Sequence, residues 1–169
     1  MSVLDKNIEE YNQNFDYNKG DALIALKKEF GQQFSDSKSV REQHTDTTTI
    51  HTSKLPDGVV FAENEDDVKK TIEICNKYKC PIIPFGVGSS LEGHVNALYG
   101  GVSIDLNNMN KILEISAEDS FAVVQPGVTR EQLNVYLRDT GLFFPIDPGA
   151  NASLGGMSST NASGTNAVR

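Results

Sequence analysis

The first hydrophobic pattern in the chain predicts an amphipathic helix that begins near Asp21. Its apolar stripe has helical spacing and lies opposite Lys27 and Lys28; it consists of Leu23, Leu26, Phe30 and Phe34. The preceding residues 1–20 are polar and weakly patterned, which predicts a loose arm. The polar residues 35–57 predict a long connection over the surface.

A strand, a helix and a second strand follow. The apolar residues 59–62 predict a short buried strand, and Asn64 with Asp67 predicts a capped helix start. The apolar run Ile82–Phe85 is the second strand. The expected buried stripe of the helix between them is Val68, Ile72 and Cys75. Two strands joined by a helix in this way form a βαβ unit, which is normally parallel.

Three further apolar runs alternate with polar residues and lie close together, at residues 102–106, 111–115 and 121–125. This spacing predicts an antiparallel meander that is separate from the βαβ unit. Thr129 and Gln132 form a capping box for a helix that ends at Gly141. Residues 142–145 predict a short strand or an extended segment. The sequence therefore predicts an α+β fold of two subdomains that meet near the loop after Phe85.

That loop is rich in glycine and serine. Gly86 and Gly88 can adopt positive φ angles and let a ligand approach the main chain. Consecutive exposed N–H groups in such a loop form a nest for an anion such as phosphate, and Ser89 and Ser90 add two hydroxyl donors. From these residues alone, a phosphate-binding loop and a glycine-rich turn without a ligand are equally good interpretations.

Two common nucleotide-binding patterns do not fit this loop. The dinucleotide fingerprint GxGxxG would need glycine at residue 91, which is Leu91, and residues 92–101 contain too many breakers to open a helix. The GxxxxGK[ST] pattern is absent as well. A phosphate would therefore be bound in a different architecture.

A second segment, from Gly149 to Ala167, consists almost entirely of small residues. It carries no charge before Arg169, but Leu154 and Met157 stand out as apolar anchors. A flexible linker and a backbone floor under a large flat ligand both produce such a composition. Two backbone-exposing segments in one chain favour a shared ligand over two coincidences.

Composition limits the partners. The 169 residues carry a net charge of −8, which argues against nucleic acid and leaves backbone and hydroxyl donors to hold any phosphate. Cys75 and Cys80 match neither redox nor zinc spacing and are expected to be half-buried thiols in a reducing compartment. His44 and His51 have no partner at metal-ligand spacing, so we expect both to be exposed to solvent.

Four runs of the sequence, in this order, resemble the FAD-binding domain of the flavin-dependent D-lactate dehydrogenases, which belong to the vanillyl-alcohol-oxidase/p-cresol-methylhydroxylase (PCMH) type of flavoproteins. They are PIIPFGVGSSLEG, VSIDLNNMNKILEI, QPGVTREQLN and FPIDPGANASLGGMSSTNASGTNAVR. The resemblance covers residues 38–169 and leaves residues 1–37 as an N-terminal arm and helix. It implies a PCMH-type FAD-binding domain of two α+β subdomains, of which this chain is the N-terminal part.

The resemblance also implies the site residues. The glycine-rich loop would hold the pyrophosphate of FAD, and the small-residue segment would line the flavin. Some relatives tether FAD through a histidine in this loop. Here Ser89 and Ser90 stand at that place and His94 lies past it, so non-covalent FAD is expected. The implied contacts are Pro84, Gly86, Gly88, Ser89, Ser90, Gly93, Pro148, Gly149, Gly155, Gly156, Thr160, Asn161 and Gly164.

The implied reaction is oxidation of D-lactate to pyruvate, with electrons passed from FAD to a cytochrome or a quinone. The catalytic histidine, the substrate-binding arginines and the metal ligands are expected beyond Arg169, so no catalytic or metal residue is assigned in this chain. Two alternatives stay open: another 2-hydroxy acid (glycolate or D-2-hydroxyglutarate) as substrate, and a non-catalytic FAD-binding fragment. With no targeting or membrane-spanning pattern in the sequence, we expect a cytoplasmic protein, or a mitochondrial one if the source is eukaryotic.

Overall fold

The structure, a computed structural model, describes residues 17–46 and 53–164. Its first subdomain is built on a four-stranded sheet in the order β1-β2-β4-β3. The inner strands β2, β4 and the edge strand β3 are parallel, and β1 pairs antiparallel with β2. The strands are β1 Phe34–Ser35, β2 Gly58–Phe61, β3 Ile82–Phe85 and β4 Val102–Asp105.

Three helices belong to this subdomain: α1 Lys19–Phe30, α2 Lys38–Gln43 and α3 Glu65–Tyr78. Helix α3 starts where the sequence predicts, because the Asn64 side chain accepts a hydrogen bond from the Asp67 N–H at 3.0 Å. Helices α1 and α3 pack on the sheet through one apolar core. Its buried members are Ala22, Leu26, Phe30, Phe34, Val60, Cys75, Cys80 and Val102.

The second subdomain consists of a hairpin and two helices. Strands β5 Ile112–Ser116 and β6 Phe121–Val124 pair antiparallel, and α4 Arg130–Leu137 and α5 Leu154–Ser159 follow. Short 3-10 turns extend α1 and α4. The Thr129 hydroxyl caps α4 by accepting from the Gln132 N–H, as predicted. The core of this subdomain is Val128, Leu133, Leu137, Ala152, Leu154 and Met157, so the two expected apolar anchors are buried.

The α+β fold of two subdomains is confirmed, but the predicted meander is wrong. Strand β4 does not join the hairpin; it lies between β2 and β3 and runs parallel to both. All its residues are buried, as expected for a central strand of a parallel sheet that is covered on both faces. Of the three strands predicted for the meander, only β5 and β6 pair with each other, and they are antiparallel.

The predicted surface connection over residues 35–57 is also wrong in part, because it contains the end of β1 and the helix α2. His44, at the end of α2, is 4% exposed rather than solvent-exposed. His51 and the arm residues 1–16 lie outside the described part of the chain. Residues 142–145 form no strand.

The structure also differs from two predictions about which side chains are buried. Ile72 is 47% exposed because α3 buries the face that contains Thr71 and Cys75. Thr71 tolerates burial because its hydroxyl donates to the Asp67 carbonyl at 2.8 Å. Cys75 and Cys80 are free thiols, as expected, but both are buried rather than half-buried. No helix within the described ranges has the length and apolar character that a membrane span requires.

Candidate functional site

The glycine-rich loop and the small-residue segment line one cavity of about 370 Å³. The cavity opens at the carboxyl ends of β3 and β4, the end of a parallel sheet where ligands usually bind. The predicted site residues that line it are Pro84, Gly86, Gly88, Ser89, Ser90, Pro148, Gly155, Gly156 and Thr160. The other predicted residues, Gly93, Gly149, Asn161 and Gly164, do not line it.

The loop exposes its backbone to the cavity. Gly88 has φ +71°, and a Cβ at this position would come within 2.8 Å of the Phe85 ring. Only glycine fits without strain there. Within the part of the chain that the structure describes, the N–H groups of residues 86–90 donate no hydrogen bond to the protein. Consecutive unused donors of this kind can bind an anion.

The small-residue segment closes the cavity by backbone contact. The Leu154 N–H donates to the Val128 carbonyl at 2.8 Å, and the Gly155 N–H donates to the Pro126 carbonyl at 2.9 Å. A Cβ on Gly155 would lie 2.6 Å from Pro126 Cβ. The described residues of the segment, 149–164, are therefore docked on the domain, contain a short helix and do not form a flexible linker.

The Ser153 side chain joins the two segments. It is 1% exposed, and its hydroxyl would meet a Cβ on Gly86 at 2.5 Å and a Cβ on Gly156 at 3.0 Å. Glycine on both sides thus lets the main chains approach closely.

The cavity wall is almost free of charge. Among the described residues that line it, His94 is the one titratable side chain, and its Nδ1 lies 2.9 Å from the Ser90 hydroxyl. Leu106, Pro126 and Met157 contribute apolar surface. Such a wall suits a ligand that combines an apolar ring with an anion held by N–H and hydroxyl donors, and the glycine cradle leaves the space for it.

A hydrogen-bonded chain behind the loop was not predicted from the sequence. The buried imidazole of His44 lies 2.8 Å from Asp105 Oδ2, and Asp105 Oδ1 accepts from the Asn107 N–H at 2.8 Å. The Asn107 side-chain amide then donates to the Gly86 carbonyl at 2.8 Å. The sequence signal for this interaction is Asp105, an acidic residue at the carboxyl end of β4. It indicates a role near the loop only when β4 is known to lie next to β3.

The charge state of His44 follows from these contacts. Burial alone lowers the pKa of His44, but the hydrogen bond to the Asp105 carboxylate, followed by that to the Val40 carbonyl, outweighs it. The net effect raises the pKa of His44 above its usual value of 6.5.

A second buried cluster lies away from the cavity, around Asp57. Its carboxylate accepts from the Tyr17 hydroxyl, pairs with Lys19, and accepts from the Gly101 N–H at 2.8 Å. Burial by itself raises the pKa of Asp57, but the hydrogen bonds from Lys19 and Tyr17 lower it below its usual value. This cluster ties the start of α1 to the start of β4.

Known proteins resemble this chain in sequence and in fold. Residues 56–169 match the family described as FAD binding domain. The chain is 53% identical over 131 residues to a Danio rerio protein named "Probable D-lactate dehydrogenase, mitochondrial", a match that covers 78% of this chain and 26% of that protein. It is 48% identical over 115 residues to "D-lactate dehydrogenase [cytochrome], mitochondrial" of Arabidopsis thaliana, covering 68% of this chain and 20% of that protein.

A more distant relative has another substrate in its name. The chain is 32% identical over 141 residues to "D-2-hydroxyglutarate dehydrogenase" of Stutzerimonas stutzeri, covering 82% of this chain and 30% of that protein. Among solved structures, p-cresol methylhydroxylase with substrate bound matches with a TM-score of 0.64 and 25% identity, over 74% of this chain and 25% of that one. The chain thus spans between a fifth and a third of the length of these relatives.

Proposed function

The chain belongs to the FAD binding domain family, and from this premise we propose that it forms the FAD-holding part of a flavin-dependent dehydrogenase that oxidises D-lactate to pyruvate. The observation that carries the proposal is the shared cavity, in which unused N–H donors and a close-packed glycine floor meet. The D-lactate dehydrogenase names of the Danio rerio and Arabidopsis thaliana relatives support the substrate.

The residues of the cavity fit FAD. The N–H groups of residues 86–90 and the hydroxyls of Ser89 and Ser90 would hold its diphosphate, without a lysine or arginine in the described wall. Gly155, Gly156 and Thr160 would line the ring system. Ser89 and Ser90 give the loop no side chain for a covalent tether, which supports non-covalent binding.

The chemistry would divide between cofactor and protein. When bound, FAD supplies a two-electron acceptor for the hydride of the 2-hydroxy acid. The described residues of this chain would bind and orient the cofactor and exclude water from one side of it. None of them is assigned to proton transfer or to substrate binding.

The names of the relatives support a choice of electron acceptor and of cellular compartment. The Arabidopsis thaliana relative has "cytochrome" in its name, which favours a cytochrome over a quinone as electron acceptor. Both D-lactate relatives are named mitochondrial, so we propose a mitochondrial location if the source is eukaryotic. The D-2-hydroxyglutarate relative supports one alternative, a larger 2-hydroxy acid as substrate.

The test is anaerobic reduction of bound FAD, followed at the visible flavin absorption band. It uses the product of the complete reading frame that encodes this chain, and it offers D-lactate, L-lactate, glycolate and D-2-hydroxyglutarate in separate samples. We expect D-lactate to bleach the band fastest and oxidised cytochrome c to restore it. Faster bleaching by D-2-hydroxyglutarate or glycolate would replace the proposed substrate, and FAD binding without bleaching by any of the four would contradict a dehydrogenase.

A further inference from the structure

His44 lies at the start of a chain of buried hydrogen bonds that ends at the glycine-rich loop. Its imidazole is 4% exposed and contacts the rings of Phe61 and Phe85, with ring centroids 5.6 Å and 4.5 Å away. Asp105, its partner, is 6% exposed. Nothing in the proposed chemistry uses either group.

Both ring nitrogens of His44 face acceptors. Nδ1 lies 2.8 Å from the Val40 carbonyl oxygen, and Nε2 lies 2.8 Å from the Asp105 carboxylate. A neutral imidazole has one N–H, so it can donate to only one of them; the doubly protonated ring satisfies both. The arrangement therefore favours the cation, and loss of its proton removes one of the two hydrogen bonds.

At its other end, this row of hydrogen bonds holds one peptide group of the glycine-rich loop in place. The Asn107 side-chain amide donates to the Gly86 carbonyl at 2.8 Å. Because the peptide group is planar and trans, holding the Gly86 carbonyl on one side directs the Val87 N–H to the other. That N–H is one of the unused donors of the loop. Asp105 positions Asn107 by accepting its backbone N–H.

We propose that His44 is a positioning residue for the glycine-rich loop and that its protonation, relayed through Asp105 and Asn107, sets the orientation of the Gly86–Val87 peptide and with it the affinity of the cavity for FAD. The affinity statement rests on the proposed function; the coupling of His44 to Gly86 does not. The direction of the effect follows from the contacts: FAD binds more tightly when His44 is protonated, and the affinity falls as the pH rises.

Within residues 17–46 and 53–164, few other charges face this imidazole. Strand β4 contributes Asp105, while β2 and β3 contribute the uncharged rings of Phe61 and Phe85. On its own segment, Arg41 lies one turn earlier and donates from Nε to the Pro56 carbonyl at 2.5 Å. The buried Asp46 follows two residues later. Among the residues that the structure describes, the Asp105 carboxylate is thus the charge that touches the ring.

The coupling can be measured without FAD. The sequence has three histidines, so His51→Gln and His94→Gln together leave His44 as the only imidazole. The chain also has four Gly–Val pairs; ¹³C-carbonyl glycine and ¹⁵N-valine labelling with carbon-detected NMR therefore gives four signals. We expect the Gly86–Val87 signal to titrate with the same midpoint as the His44 ring, above pH 6.5. The pairs at Gly58, Gly101 and Gly127 are internal controls.

Two variants test the route. Asn107→Ala should abolish the titration of the Gly86–Val87 signal while the His44 ring still titrates. Asn110→Ala, in the same turn, is the matched control and should leave the coupling intact. The proposal is overturned if the Gly86–Val87 signal does not shift when the His44 ring titrates. It is also overturned if the imidazole keeps one charge state between pH 5.5 and 9.

The FAD measurement completes the test on the native chain, because His94 lines the cavity and has to stay in place. His44→Gln is measured beside it and should lose the pH dependence of FAD binding. We expect the dissociation constant for FAD to rise about five-fold between pH 6 and pH 9, a coupling of ordinary size. Binding that is tight and independent of pH overturns the inference and leaves the proposed function standing. Absence of FAD binding at every pH overturns the proposed function, and the NMR titration then decides the His44 coupling alone.

Discussion

Gly86 lies directly against the hydroxyl of Ser153, so that a Cβ at residue 86 would come within 2.5 Å of Ser153 Oγ. The two residues belong to the two segments that sequence composition singled out. Their contact turns a loop and a small-residue stretch into the two walls of one cavity. A side chain at residue 86 would push the two walls apart.

Gly86→Ala tests this junction. The φ of Gly86 is outside the left-handed region, so the expected effect is steric. We expect a loss of about 1–3 kcal/mol in the free energy of unfolding and about ten-fold weaker FAD binding. Ser153→Ala should restore both in the double variant, because the next Ser153 atom, Cβ, would lie 3.7 Å away. Denaturant unfolding and FAD titration of the two single variants and the double variant form a double-mutant cycle. If the losses of stability and of FAD affinity in the single variants simply add in the double variant, the contact is contradicted.

Gly88→Ala should weaken FAD binding through loop geometry. The residue has φ +71°, and its added Cβ would lie 2.8 Å from the Phe85 ring. Gly141 is a matched control: its φ is +76° with no atom within 4 Å of the added Cβ. Both variants should lose about 1–3 kcal/mol of stability from the strained backbone. Only Gly88→Ala should also lower FAD affinity, and equal affinities for the two variants would argue against the loop as the binding element.

Local signals made much of this fold predictable. Asn64 and Thr129 cap their helices through atoms three residues away, so the sequence shows them directly. The place of β4 between β2 and β3 depends on pairing between distant segments, which spacing along the chain does not encode. The contact of the buried His44 with Asp105 likewise joins residues that are 61 positions apart in the sequence.

The site was predictable to the same extent. Glycine and serine content located both segments, because a bare backbone is a local property. Their mutual contact through Ser153 is a tertiary property. The hydrogen bond from the Asn107 side chain to the Gly86 carbonyl is a tertiary property as well. Neither contact produces a local pattern in the sequence.

Asp57→Asn should destabilise the protein in a pH-dependent way. The pKa of Asp57 is lowered in the folded state, so its stabilisation is present above the unfolded value of about 3.8 and is lost as the pH falls through the folded value. At pH 7 we expect a loss of about 1–3 kcal/mol, which shrinks toward acid pH. Denaturant unfolding between pH 2 and 7 measures it. Asp36→Asn, at a 3.7 Å surface pair with Lys27, is the control and should change little.

His44→Gln should show the opposite pH dependence. Because the pKa of His44 is raised on folding, its stabilisation is fully present below the unfolded value of 6.5 and is lost as the pH rises through the folded value. We expect the stability difference from the native chain, on the order of 2 kcal/mol, to be largest at pH 5.5. Unfolding curves at pH 5.5, 7 and 9 measure it. A difference that grows with pH would contradict a protonated His44.

Calorimetric titration of the chain with FAD, FMN and riboflavin tests the central claim most directly. The three ligands share one ring system, but riboflavin has no phosphate, FMN has one, and FAD has a diphosphate that joins the flavin to adenosine. If the N–H groups of residues 86–90 hold a diphosphate, FAD binds with one-to-one stoichiometry and more tightly than FMN, and riboflavin binds most weakly. Equal affinity for FAD and riboflavin, or no saturable binding of FAD, would contradict the assignment of the cavity to this cofactor.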